Sequence, residues 1–238
     1  MIVEEYVYLE GDIMDNSGVF TERDLAHYRV AMEEIREKVE SLLKDFLDGN
    51  PDFDYFDKGR IKDSREIVEK LQRKCPNQKE FSSKLVIDTI TDIAGLRVIF
   101  GPKGSSYNIE YLDKTLDTLE DINYLRDMMV EASMVFQNTD VDIIYRFVET
   151  LKNSGLNIVD GKDKDYISEP KNTGYMSYHI VVLASNGYPV EIQLRNLIQH
   201  LYAQAEHKRY KGVSDEHKNA VLAECIRYLS PDVRNHSL

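Results

Sequence analysis

Leu25, Tyr28, Met32, Ile35, Val39, Leu42 and Phe46 recur at helical spacing, the stripe an amphipathic helix turns toward a core. The pattern predicts a helix over about 22–47, with Thr21 as N-cap and Gly49, Asn50 and Pro51 as its stop. Residues 53–61 read as a strand leading into a second helix. Ser64 is the expected N-cap there, and Ile67, Val68 and Leu71 mark the buried side. Residues 93–100, IAGLRVIF, read as a buried strand entered through Gly95. Helical patterns follow over 108–135 and 141–153, the second stopped by Gly155. Strands are expected at about 156–160, 177–184 and 188–195. A helix over about 196–210 carries Leu197, Leu201 and Ala205, and a last one over 215–229 ends before Pro231. Residues 1–20 read as a weak strand-and-turn region, and no internal repeat is evident.

Polar positions inside these apolar patterns change the picture. In VEIQLR, alternation puts Val190, Ile192 and Leu194 on one strand face and Glu191, Gln193 and Arg195 on the other. Taken alone, that is a half-exposed strand with one wet side. In the preceding strand His179, Val181 and Leu183 share a face, and a turn around Ser185, Asn186 and Gly187 would pair the two. Arg97 is the only charge in IAGLRVIF. A buried Arg costs several kcal/mol, order of magnitude, unless it is paired, so it pairs with a carboxylate or faces a site.

Charge adds a second contrast. The chain has 238 residues, 30 Lys+Arg against 42 Asp+Glu, and a net charge of -12. Residues 1–57 hold 16 acids and 5 Lys/Arg, and residues 101–140 hold 8 and 3. Residues 58–74, KGRIKDSREIVEKLQRK, reverse the sign, with 7 Lys/Arg and 3 acids. Lys70, Arg73 and Lys74 fall on one helix face. The overall acidity argues against a general nucleic-acid scaffold, which normally carries positive charge, but leaves room for a local polyanion pocket. No apolar run approaches the ~20 residues of a membrane span. The acidic start predicts neither a secretory signal nor a transit peptide. Cys75 and Cys225 form no CxxC pair, which fits a reducing, cytoplasmic setting and gives no support for structural zinc. A polar strand face near Asp92, Arg97 and a basic helix suggests a metal–nucleotide site, because Mg²⁺ is commonly held by one or two carboxylates plus substrate phosphates.

Five segments then occur in a telling order: GRIKDSREIVEKLQRK, TDIAGLRVIF, EPKNTGYMSYHIVV, VEIQLRN and AEHKRYK. Together they resemble the synthetase domain of the RelA/SpoT family, and the length resembles a small alarmone synthetase. The resemblance implies one α+β domain over 1–238, with a nucleotidyltransferase-like mixed β-sheet flanked by α-helices. It implies pyrophosphate transfer from ATP to the ribose 3′-hydroxyl of GDP or GTP, giving ppGpp or pppGpp and AMP. It implies that Arg60 and Arg97 sandwich adenine, and that Lys62, Lys70, Arg73 and Lys74 neutralise the ATP phosphates. Asp92 and Glu191 would hold Mg²⁺, with Glu191 also the base for the attacking hydroxyl. Tyr175 would stack on guanine, Lys171 and His179 would contact acceptor phosphates, and Gln193 would position the acceptor. Glu206 and His207, with Lys208, match a family helix motif near the acceptor. A homo-oligomer, by family a tetramer, is also implied.

Three features depart from the family pattern. About 40 residues, 101–140, of net negative charge, intervene where a short connection is usual, and they are expected to add a helical hairpin, a subunit contact or a lid. Met176 follows Tyr175 where a polar or basic residue is usual. The chain has no His-Asp dipeptide, so the hydrolase half of long family members is expected to be absent. Two other readings stay open at this point. One is a toxic relative acting on an adenosine nucleotide or a tRNA 3′ end; the other is a non-catalytic nucleotide-binding module.

Overall fold

The computed structural model describes residues 20–103 and 139–208. The expected elements at 1–19, 108–135 and 215–229, and most of the 101–140 insertion, lie outside the described residues. Helix α1 (Glu22–Asp48) is followed by β1 (Phe53–Ile61), α2 (Ser64–Lys74), α3 (Ser83–Thr89) and β2 (Ala94–Pro102). Then come α4 (Thr139–Asn153), β3 (Lys164–Asp165), β4 (Tyr178–Leu183), β5 (Pro189–Asn196) and α5 (Leu197–Lys208). The strands form one sheet in the order β1-β2-β5-β4-β3. The central pair β2–β5 is parallel and the other pairs are antiparallel, so the sheet is mixed.

One sheet face carries the main core. Leu96, Val98, Ile180, Val182, Ile192 and Leu194 are buried there, as period-2 alternation demands. The α1 stripe of Leu25, Tyr28, Met32, Ile35 and Val39 joins that core, with Ile144, Phe147 and Leu151 of α4. Gly59 lets α1 come close, since a Cβ there would meet Met32 Sδ at 2.8 Å. The β4–β5 turn is tied to α1 as well. Glu34 accepts from Ser185 N at 3.0 Å and from its hydroxyl at 2.6 Å.

Three local expectations change. The N-cap of α2 is Asp63, not Ser64, with its carboxylate accepting from Glu66 N at 2.8 Å. Asp is as good a cap as Ser and adds a negative charge at the positive helix end. Helix α3 was not anticipated; Ser82 caps it, and among its residues only Val86 is buried. Residues 156–160 make no strand of their own. Ile158 bridges Val182, and Val159 N donates to Val181 O at 2.8 Å, before a turn at Gly161 (φ 67) ends the pairing.

Candidate active site

Strand register assembles the site. Lys58 lies opposite Arg97, Arg97 opposite Gln193, Gln193 opposite His179, and His179 opposite Lys164. A polar row therefore crosses all five strands, on the face turned from the main core. The neighbouring row runs Arg60, Gly95, Glu191, Val181. Gly95 leaves a gap between Arg60 and Glu191. A Cβ there would touch only the Glu191 and Arg60 carbonyl oxygens, at 3.8 and 3.9 Å. A cavity of about 330 Å³ opens over these rows, lined among others by Lys58, Arg60, Asp92, Arg97, Glu191 and Gln193. Lys62 and, from α5, Gln204 complete its polar wall.

Asp92 stands between two lysines at the entrance to β2. Lys62 Nζ lies 2.6 Å and Lys70 Nζ 2.5 Å from Oδ2. Burial alone would raise the Asp92 pKa, but Lys62 and then Lys70 outweigh it and hold the carboxyl at about 2. Its other oxygen, Oδ1, is buried without a hydrogen-bond partner. Arg60, half exposed, donates from Nη2 to both Glu66 oxygens, at 2.5 and 2.7 Å. Lys70 therefore pairs with Asp92, while Glu66 belongs to Arg60.

Glu191 is buried at 5% exposure, yet ionised. Burial would raise its pKa; hydrogen bonds from His179 and Gln193 bring it below the usual range. His179 Nδ1 lies 3.3 Å from Oε1, and Gln193 Nε2 donates to Oε2 at 2.8 Å. Burial first, then the Arg195 and Lys171 charges, press the His179 pKa down against the pull of Glu191, so the imidazole is neutral at pH 7. Its Nε2 lies 3.0 Å from the Tyr175 hydroxyl. Tyr175 follows Gly174, whose φ of 83° is the left-handed conformation glycine adopts freely. Lys171 Nζ sits 4.4 Å and Arg195 4.8 Å from the Tyr175 ring centroid. Tyr202 of α5 donates its hydroxyl proton to the Thr173 carbonyl and pins this loop.

Of the residues expected at the site, Arg60, Lys62, Asp92, Arg97, Glu191 and Gln193 line one cavity. Lys70 joins through Asp92, His179 through Glu191, and Tyr175 through His179. Lys171 lies over the Tyr175 ring. Arg73 and Lys74 are exposed at the end of α2, with Lys74 donating to the Thr89 carbonyl at 2.8 Å. Glu206 and His207 belong to α5, but their side chains lie outside the described residues. Four contributors have no role of their own in the sequence reading: Lys58, Arg195, Tyr202 and Gln204. Lys58 carries a signal, since it alternates with Arg60 on β1. Tyr202 and Gln204 carry none in a helix that is apolar on several sides.

A mixed sheet with helices and a cationic cavity over its parallel central pair defines an α+β protein of nucleotidyltransferase-like architecture. Residues 59–215 match the family profile described as "Region found in RelA / SpoT proteins". The chain belongs to the RelA/SpoT family. It is 28% identical over 207 residues to the GTP pyrophosphokinase YjbM of Bacillus subtilis, covering 80% of this chain and 74% of that protein. It is 28% identical over 224 residues to the GTP pyrophosphokinase YwaC of the same organism, covering 87% and 85%. The crystal structure of small alarmone synthetase 1 from Bacillus subtilis superposes with a TM-score of 0.60 at 27% identity, covering 91% of this chain and 93% of that one. The same enzyme bound to its product pppGpp gives a TM-score of 0.59 at 28% identity, with coverages of 91% and 94%.

Proposed function

We propose that the chain transfers the pyrophosphoryl group of ATP to the ribose 3′-hydroxyl of GDP or GTP, giving ppGpp or pppGpp and AMP. The observation that carries this is the cavity in which Arg60 and Arg97 flank Gly95, with Asp92 and Glu191 at its wall, in a chain similar to two GTP pyrophosphokinases. The acceptor oxygen attacks the β-phosphorus of ATP, the bond from that phosphorus to the α,β-bridging oxygen breaks, and AMP leaves. The hydroxyl proton goes to Glu191, whose ionised carboxylate is the base at hand. Such in-line transfer asks the protein for positioning and charge neutralisation.

Arg60 keeps its in-plane bonds to Glu66 while its face stays open to adenine, and Arg97 supplies the second face. Lys62 and Lys70 meet the phosphates from Asp92, with Arg73 and Lys74 beyond. Tyr175 offers its ring to guanine, with Lys171 beside it, and Gln193 and His179 position the acceptor end. The residues fit a hard divalent ion: Asp92 Oδ1 is a buried, unpartnered carboxylate oxygen, and Glu191 stands on the same cavity wall. Asp92 and Glu191 would hold Mg²⁺, which when bound neutralises charge on the phosphates. Among the described residues no helix is long and apolar enough to cross a membrane, and the reading includes a cytoplasmic homo-oligomer.

The test is incubation of the protein with ATP, Mg²⁺ and separate pools of GDP, GTP, adenosine nucleotides and tRNA, followed by nucleotide chromatography. AMP and a 3′-pyrophosphorylated guanosine nucleotide should appear together. AMP release with only another acceptor would overturn the guanosine assignment.

A further inference from the structure

Arg195 is 3% exposed and reaches the site only through other side chains. Its Nη2 donates to the Tyr175 hydroxyl oxygen and, at 3.1 Å, to Gln193 Oε1. Tyr175 and His179 Nε2 are 3.0 Å apart, His179 Nδ1 and Glu191 Oε1 3.3 Å, and Gln193 Nε2 and Glu191 Oε2 2.8 Å. These contacts close a five-member ring. A guanidinium only donates and a carboxylate only accepts, so Arg195 is the donor at one end of both branches and Glu191 the acceptor at the other. Tyr175 must accept from Arg195, and its hydroxyl shares a second hydrogen bond with His179 Nε2. His179 must carry a proton on Nδ1, which faces Glu191 Oε1 at 3.3 Å. Gln193 must accept on Oε1 and donate from Nε2. Both branches thus run from one source, Arg195, to one sink, Glu191.

We infer that Arg195 is a positioning residue: the bridged counter-ion of Glu191, which locks the Tyr175 ring and the Glu191 carboxylate into one rigid unit. Two buried opposite charges on one strand, four residues apart, do not touch. Each satisfies the other through neutral groups, and unpaired buried charge is costly. The consequence for the reaction is geometric. The ring that meets the acceptor base and the carboxylate that takes the acceptor's proton cannot drift apart. The Tyr175 hydroxyl then has a part separate from its aromatic face.

This inference rests on the transfer reading above. Tyr175→Phe keeps the face, with the Arg195 contact over it, and removes only the hydroxyl's bonds to Arg195 and His179. Its kcat should fall about ten-fold with the acceptor KM within about two-fold, because lost orientation acts on the transition state. Arg195→Met should do the same, Arg195→Lys should recover part of the loss, and the Tyr175→Phe/Arg195→Met double variant should be no slower than the slower single. If Arg195→Met does not fold, Tyr175→Phe decides alone. A wild-type kcat in Tyr175→Phe, or losses that multiply in the double variant, would overturn the inference. The ¹⁵N spectrum of His179, taken without nucleotide, separates this from the assigned activity. A wild-type protein that transfers nothing sinks the function, while the Nε2 signal still reads the ring. It should move in Tyr175→Phe, and an unmoved signal counts against the link.

Discussion

At the scale of single residues, Asp92 and Glu191 are both ionised, for opposite reasons. Asp92 is charged because two ammonium groups face it, and Glu191 because His179 and Gln193 do. The difference is measurable. The folded pKa of Asp92, about 2, lies below its ordinary 3.8. Its contribution to stability is therefore complete above about pH 4 and is lost as the pH falls toward 2. A drop of that size is worth at most roughly 2 kcal/mol. Urea melts at pH 4.5 and 2.5 should show that loss in the wild type, and a smaller loss in Asp92→Asn. Glu191→Gln acts differently. It places an amide where His179 and Gln193 both donate, and it leaves Arg195 without its counter-ion. Transfer should fall by roughly 10²-fold or more, the usual range for losing a general base, with ATP binding retained within a few-fold by calorimetry. Unchanged transfer by this variant would remove Glu191 from the chemistry.

At the scale of elements, α5 links fold to site. Asn196 Oδ1 accepts from Gln199 N at 2.8 Å, and Gln199 Oε1 accepts from Asn196 N at 3.0 Å, all buried. This reciprocal cap fixes where β5 becomes helix, and Tyr202, a turn and a half on, holds the Thr173 carbonyl. Asn196→Ala should cost about 1 kcal/mol by denaturant melts. Tyr202→Phe should weaken acceptor binding more than ATP binding, because only the 171–175 loop loses its anchor; equal effects on both nucleotides would show that the anchor is not local. Strand β5 was legible in the sequence because alternation over VEIQLR is strict. Helix α3 was not, because seven residues with one buried Val carry no period. Arg195 read as wet for a related reason. Alternation tells that a face is polar, not that a loop arriving from Lys171–Tyr175 will cover it. The Asp92–Lys70 pair was similarly hidden behind Glu66, a helix neighbour of Lys70 at the spacing that usually pairs.

At the scale of the whole molecule, charge is divided. The chain carries -12, yet the cavity wall holds Lys58, Arg60, Lys62 and Arg97 against Asp92 and Glu191. Beyond it, the Lys74 pKa is lowered by burial and then by Lys70, Lys164 and Lys162, so cations of α2 and the β3 region feel one another. Salt should therefore act on the protein in two opposed ways. Screening shortens from about 10 Å at 0.1 M to about 3 Å at 1 M. Self-repulsion of a molecule with excess negative charge is relieved by that change, so the melting temperature should rise. The attraction of the cavity for a polyphosphate is weakened by the same change, so the KM for ATP should increase. Thermal melts and initial rates at 0.1 M and 1 M NaCl, with Mg²⁺ in fixed excess, measure both on one preparation. A KM that falls with salt would mean that the bulk negative charge, rather than the local cations, governs nucleotide entry.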